Sequence, residues 1–232
     1  MKALLFIFLA SIFCMGLFAQ KNKMVTVKAG SNIMDALSHS EVLYYPVFTN
    51  GKVMRKDGST AEAKLNYNRL VDEMHFIGPS GDTLALSNEL TVRYVAVGKD
   101  TFLFNDGGYL RIIGNSGRAK LAQKQVWVVS DSRAIGAYNT SNLSSSITSY
   151  TSYNEGGKLY TMTVNADLVL KKIEQFYLGN NSNHFVLATK KNLLMLFPDS
   201  DRNEVYLKEN KIDFSKENDL TKLIAYLGQV DE

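Results

Sequence analysis

The feature that most constrains the fold is a regular alternation of short apolar runs and turn-forming residues between Val42 and Ser130. The runs recur at about ten-residue spacing, which is typical of antiparallel strands joined by tight turns. The turns carry Gly beside Asn or Asp because tight hairpins need positive φ, which a residue with a Cβ resists. The predicted strands are residues 42–48, 52–55, 61–68, 70–77, 83–86, 91–97, 101–104, 109–113 and 120–129.

Residues 125–129 form a more continuous apolar run around Trp127, which favours a strand buried on both faces. Farther along the chain, residues 158–164, 168–178 and 184–189 are also predicted as strands, the last two as an antiparallel pair around an Asn-rich turn. These patterns predict a mainly β fold: an antiparallel meander that forms a sandwich or a strongly curled sheet.

The pattern changes to a helical one at residue 190. A first helix is predicted over residues 190–197, stopped by Pro198, and a second over 203–209. Ser215 is predicted to cap a third helix. The apolar residues of this third helix follow the i, i+3, i+4, i+7 spacing of one helix face: Leu220, Leu223, Ile224 and Leu227. Residues 190–232 are therefore expected to form a small α-helical cap packed against the sheet.

Residues 130–157 differ from the rest of the predicted β domain of residues 20–189, since Ser, Thr, Asn and Gly dominate them. Tyr138, Tyr150 and Tyr153 are interleaved there, and such a composition favours a loop. Tyr among small polar residues is typical of adaptable binding surfaces, so these three are the candidate binding residues. The composition favours a solvated, partly disordered insertion with its tyrosines folded back onto the sheet over such a binding surface.

The first nineteen residues have the pattern of a signal peptide. Lys2 precedes an apolar run over residues 4–17, and Ala19 ends a plausible cleavage site. The run is shorter than the roughly 20 residues of a membrane-spanning helix. The protein is therefore expected to be exported to the periplasm or the cell surface. Cys14 is the only cysteine, so the mature chain would lack disulfides and thiolate sites; its use as a lipid-bearing cysteine is disfavoured by the bulky residues before it.

Three segments resemble a group of uncharacterised exported proteins of Bacteroidota-type bacteria. They are residues 192–199 (Asn-Leu-Leu-Met-Leu-Phe-Pro-Asp) with the following 208–223, residues 63–70 (Ala-Lys-Leu-Asn-Tyr-Asn-Arg-Leu) with 74–77 and 81–86, and the leader. The resemblance covers about a third of the chain. It implies a place in the cell envelope and a family without an established activity, and it supplies no catalytic residues.

Metal and nucleotide chemistry find little support in the sequence. His39, His75 and His184 lack paired ligand spacing, although a strand would place Glu73 and His75 on one face. Serine-nucleophile and phosphate-binding glycine motifs are missing. The basic pairs Lys171-Lys172 and Lys190-Lys191 are interpreted as solvated faces, because nucleic-acid binding needs a broader basic stripe. No cofactor, metal or nucleic-acid partner is predicted.

Carboxylates offer the one catalytic alternative. A pair drawn from Asp72, Glu73, Asp82, Asp100 and Asp106 could hydrolyse a glycosidic bond, but no motif selects the pair. The preferred interpretation is a non-enzymatic envelope protein that binds another envelope protein or a glycan. A carbohydrate or peptidoglycan hydrolase is the alternative. An outer-membrane β-barrel is a second alternative, disfavoured because several predicted strands are shorter than the required ten residues or so.

Overall fold

The computed structural model describes residues 23–133, 164 and 166–229. In this part of the chain, eleven strands form one antiparallel sheet, which confirms the mainly β prediction. The strands are β1 (Met24–Val27), β2 (Thr49–Arg55), β3 (Thr60–Asn68), β4 (Glu73–Ile77), β5 (Thr83–Ala85), β6 (Val92–Val97), β7 (Asp100–Asn105), β8 (Gly108–Ser116), β9 (Ala119–Arg133), β10 (Asp167–Gly179) and β11 (Phe185–Leu187).

The order of strands across the sheet is β1-β10-β9-β8-β7-β6-β2-β3-β4-β5, with β11 added to β10. Most neighbours are consecutive in the chain, as a meander requires. Two pairings are not local: β2 pairs with β6, and the N-terminal β1 pairs with β10. The strand β1 was not predicted from the sequence, and the predicted strand at 158–164 falls almost wholly outside the described residues.

The sheet curls, so that strands far apart in its order come into contact. The amide of Trp127 in β9 donates to the carbonyl of Arg69, just after β3, at 2.9 Å. Nearby, the amide of Tyr109 in β8 donates to the carboxylate of Asp72 at 3.0 Å. Of the two arrangements predicted, the described strands therefore form the single curled sheet.

The strand predicted at residues 42–48 is wrong. The structure has a short helix α1 (His39–Val42), which begins with a capping box between Ser38 and Glu41. Only Leu43 then pairs with β3, through an isolated bridge to Asn68. The ladder stops beyond this point because Pro46 has no amide hydrogen to donate.

Strand β9 is buried on both faces, as its apolar run predicted. Val126 is 7% exposed and packs in the core inside the curl, with Val95 and Tyr109. Trp127 is 5% exposed and packs in a different core with Leu43 and Leu170. Alternate residues of one strand thus serve two cores, because successive side chains point to opposite faces.

Helices close the C-terminal end of the fold: α2 (Lys190–Leu196), α3 (Ser200–Asn210) and α4 (Glu217–Gln229). The predicted stripe of α4 is confirmed, since its four apolar side chains are at most 3% exposed. They pack with Leu121 of β9 and Leu178 of β10. Thr189 caps α2 by accepting from the amide of Asn192.

The predicted cap at Ser215 is wrong. Its amide and hydroxyl both donate to the carboxylate of Asp213, at 2.9 and 2.6 Å, and α4 begins two residues later at Glu217. The Asp213 amide donates in turn to Asp219 within α4 at 3.1 Å. A turn rather than a side-chain cap therefore precedes the helix. No helix in residues 23–133 and 166–229 is long and apolar enough to cross a membrane.

Candidate functional site

A groove of about 520 Å³ lies where β10 meets the turn before α4. Its apolar surface comes from the sheet and from that turn: Phe176, Leu187, Ala188 and Phe214. Its hydrogen-bonding side chains come from β9, β10, the turn and the residue before β1: Lys23, Gln125, Lys172, Glu174 and Ser215. Pockets of this size, with apolar walls and a few polar groups, are typical small-ligand sites.

Glu174 and Gln125 form the polar centre of the groove. They are direct cross-strand partners on β10 and β9, and Gln125 donates to the Glu174 carboxylate at 2.8 Å. The same carboxylate oxygen accepts a second bond from Gln123. Two amide donors on one oxygen hold the carboxylate in a fixed orientation, since hydrogen bonds to an ionised group are the stronger kind.

Arg111 continues this chain of hydrogen bonds toward β7. Its guanidinium donates to Gln123 and, at 3.1 Å, to the carboxylate of Asp100. Asp100 also accepts from the hydroxyl of Tyr45, and burial, followed by this hydrogen bond, raises the pKa of that phenol. The chain therefore couples the orientation of the Glu174 carboxylate to side chains on β8 and β7.

Lys172 supplies positive charge beside this centre. Its pKa is lowered, first by burial and next by the positive charge of Arg69, while the Glu174 carboxylate opposes the shift. Lys23, whose carbonyl accepts from the Lys172 amide at 2.9 Å, is ion-paired with Glu41. The groove thus presents a partly desolvated ammonium next to a hydrogen-bonded carboxylate.

The prediction of a solvated face at Lys171-Lys172 is wrong, because both lysines are half-buried, and Lys172 lines the groove. Lys190 and Lys191 are exposed, as predicted. The signal that sequence reasoning missed was the polar interruption Lys-Lys-Ile-Glu-Gln within an otherwise apolar strand. Such an interruption marks polar side chains within a largely apolar strand, but it does not distinguish a cavity from solvent.

The carboxylates considered for hydrolysis are engaged elsewhere. Asp72 is bonded to Lys124, Tyr67 and the Tyr109 amide, Glu73 to His75, and Asp100 to Arg111. Asp82 and Asp106 lie in turns. Of the described residues that line the groove, Glu174 is the one carboxylate. Two-carboxylate hydrolysis needs a second carboxyl group roughly 5–10 Å away.

The predicted binding residues Tyr138, Tyr150 and Tyr153 lie outside the described residues, as does the predicted signal peptide. Among residues 23–133, 164 and 166–229, no group of three His, Cys, Asp or Glu side chains could hold a metal ion. The groove is therefore the candidate functional site in the described part of the chain.

Comparison of the chain with protein-family models, with curated proteins and with solved structures finds no match. The resemblance to exported proteins of Bacteroidota-type bacteria stays a prediction. The chemistry of the groove is consequently the basis for assigning a function.

Proposed function

We propose that this protein is an exported, non-enzymatic binding protein of the bacterial cell envelope, and that its groove binds a saccharide. The leader of residues 1–19 supports export. The observation that supports a saccharide ligand is the hydrogen-bonded pair of Gln125 and Glu174 beside Lys172. The apolar surface of Phe176 and Phe214 lines the same groove.

A saccharide suits this arrangement because each sugar hydroxyl both donates and accepts hydrogen bonds. Gln125 offers both kinds of group, Lys172 donates, and Glu174 accepts. The apolar surface suits the C–H face of a sugar ring. The charged residues of the groove are Lys23, Lys172 and Glu174, so their sum is +1, which favours neutral or weakly acidic sugars over strongly charged ligands.

The binding test uses calorimetric titration of the chain from residue 20 onward with cellotriose, maltotriose and chitotriose. Lys172→Leu is compared with Lys171→Leu, because the two lysines are neighbours on β10 whose side chains point to opposite sheet faces. We expect at least one trisaccharide to bind, with at least tenfold weaker affinity in Lys172→Leu and a change below twofold in Lys171→Leu. Equal losses in the two variants, or no binding of any trisaccharide to the folded protein, would refute the assignment.

Tyr138, Tyr150 and Tyr153, in the segment predicted to be a loop, form a separate prediction about an envelope protein partner. Their replacement together, Tyr138→Ser with Tyr150→Ser and Tyr153→Ser, leaves the groove residues unchanged. We expect this variant to lose a partner captured from detergent-solubilised envelopes while it retains trisaccharide binding. Retention of the same partner by the variant would show that the tyrosines do not bind it.

A further inference from the structure

A second cavity, of about 380 Å³, shares no lining residue with the groove. It lies between the segment around α1 and the face formed by β3, β4 and β5. On the side of α1 its walls are mostly apolar, with Leu37, Leu43 and Phe48 prominent among them, and they include the exposed His39. On the sheet side it is lined by Asn68, His75 and Thr83.

Asn68 and His75 are each 1% exposed, yet both line this cavity. They lie on the same face of neighbouring strands, since His75 is the register partner of Asn66, two residues from Asn68. This places them as a diagonal pair, with Cα atoms roughly 7–8 Å apart in a regular ladder. The cavity therefore has two buried polar side chains side by side at its sheet wall.

The hydrogen bonds that Asn68 and His75 already make show which of their donor and acceptor atoms are left for a ligand. The Asn68 oxygen accepts from the amides of Leu70, at 2.9 Å, and Val71, at 3.4 Å, which identifies the oxygen and leaves Nδ2 as a donor. His75 Nε2 lies 3.2 Å from the Glu73 carboxylate, which only accepts hydrogen bonds, so this nitrogen carries a proton; in the neutral imidazole, Nδ1 is then the acceptor. Neither Asn68 Nδ2 nor His75 Nδ1 is hydrogen-bonded to another described residue.

One donor next to one acceptor is the complement of a hydroxyl group, which accepts and donates at a single oxygen. A charged head group fits less well: the Glu73 carboxylate beside His75 disfavours an anion, and an ammonium has no acceptor capacity for the Asn68 donor. The space is ample, because a dry cavity of about 150 Å³ already holds benzene. The walls require that the rest of the ligand be apolar.

We propose that this cavity binds a small, neutral apolar molecule that carries one hydroxyl group. The ring or alkyl part lies against Leu37, Leu43 and Phe48, and the hydroxyl lies between Asn68 and His75. The site is independent of the saccharide groove, and either can exist without the other.

Trp127 provides a direct readout of this cavity. It is the only tryptophan of the chain, and it packs in one core with Leu37, Leu43 and Phe48. Its indole donates to the carbonyl of Glu41 in α1 at 3.1 Å. Occupation of the cavity is therefore expected to change the fluorescence of Trp127.

The probes are benzyl alcohol, toluene and benzoate, titrated against the intact protein while Trp127 emission is followed. We expect a saturable change with benzyl alcohol and none with benzoate. The cavity-filling variant Thr83→Phe is expected to weaken benzyl alcohol binding at least tenfold. Thr101→Phe, at a similarly half-buried strand position away from the cavity, is the matched control and is expected to change the affinity less than twofold.

The hydroxyl assignment is tested by comparing the ratio of benzyl alcohol to toluene affinity between wild type and variant, because the difference in hydrophobicity of the two probes cancels in that comparison. We expect His75→Phe to lower this ratio at least fivefold. An unchanged ratio in folded His75→Phe would overturn the proposal. So would the lack of any saturable change in wild-type emission, or equal losses in Thr83→Phe and Thr101→Phe, and these two results do not depend on the folding of His75→Phe.

Discussion

The backbone amide of Trp127 is hydrogen-bonded to the carbonyl of Arg69 at 2.9 Å, although four strands separate β9 from β3 in the order of the sheet. This contact joins two distant parts of the meander. It encloses one core inside the curl and leaves a second beneath α1. The turn that carries Arg69 is thus a key element of the tertiary structure.

Asp72 holds this turn in place through hydrogen bonds and an ion pair, and the first prediction concerns its removal. It has φ of 57° and accepts from Lys124 at 2.6 Å, from the Tyr67 hydroxyl at 2.6 Å and from the Tyr109 amide. Asp72→Ala should lower the free energy of unfolding by about 2–4 kcal/mol, because it removes the bonds and adds a left-handed alanine. Asp72→Asn keeps an acceptor and tolerates positive φ, so we expect it to lower the free energy of unfolding by only about 1–2 kcal/mol. Urea unfolding measures both, and equal losses would contradict the ordering.

Leu223 tests the docking of α4 on the sheet. Its side chain is fully buried in the core shared with Leu121 and Leu178. Leu223→Asp places an unpaired charge there and should lower the free energy of unfolding by more than about 3 kcal/mol. Thr221→Asp, exposed on the same helix, should change it by less than about 1 kcal/mol. Thermal unfolding that is the same for both variants would show that α4 is not docked.

Gly228 tests the close approach of α4 to the β8–β9 turn. A Cβ on Gly228 would lie 2.5 Å from the carbonyl oxygen of Ser116, which is backbone and cannot swing away. Gly228→Ala gains about 1 kcal/mol in helix propensity but loses about 1–3 kcal/mol through overpacking. We expect a net loss in thermal stability, whereas Asn218→Ala on the exposed face should be neutral or stabilising. A more stable Gly228→Ala protein would contradict the close packing.

The lowered pKa of Glu41 predicts that the stability of the protein depends on pH. Its hydrogen bonds to Lys23 and then to Ser38 lower its pKa from 4.5 to about 2. A lowered folded-state pKa contributes stability above the unfolded value, and that contribution is lost as the pH falls from 4.5 through about 2. Glu41→Gln keeps an acceptor for the Ser38 amide but loses the charge paired with Lys23, so it should cost about 0.5–1 kcal/mol at pH 7, and the difference from wild type should shrink across that range.

The matched control for Glu41→Gln is Glu62→Gln, since Glu62 is paired with Lys52 at 3.1 Å on an exposed strand. Exposed pairs contribute little, so this variant should differ from wild type by less than about 0.5 kcal/mol at every pH. Urea unfolding followed by Trp127 fluorescence at pH 7, 4.5 and 2.5 measures both variants. A Glu41→Gln difference that does not change with pH would refute the role of the carboxylate charge.

The groove shows what sequence reasoning could and could not find. Lys172 and Glu174 were visible as polar residues within an apolar strand, yet nothing local distinguished a cavity from solvent. The cavity forms because Phe214 and Ser215, which lie forty residues after Glu174 in the sequence, line it together with strand β10. The bond between Gln125 and Glu174 likewise depends on the register of β9 against β10.

The sequence by itself determined most strands, their turns and the amphipathic face of α4, because these follow from local periodicity and backbone preference. It also determined that β9 is buried on both faces. Only the tertiary structure decided the pairing of β2 with β6, the addition of β1 to β10 and the contact of Arg69 with Trp127. These features join residues distant in the chain, and the free energy that selects among them comes from burying whole faces together, which local patterns do not encode.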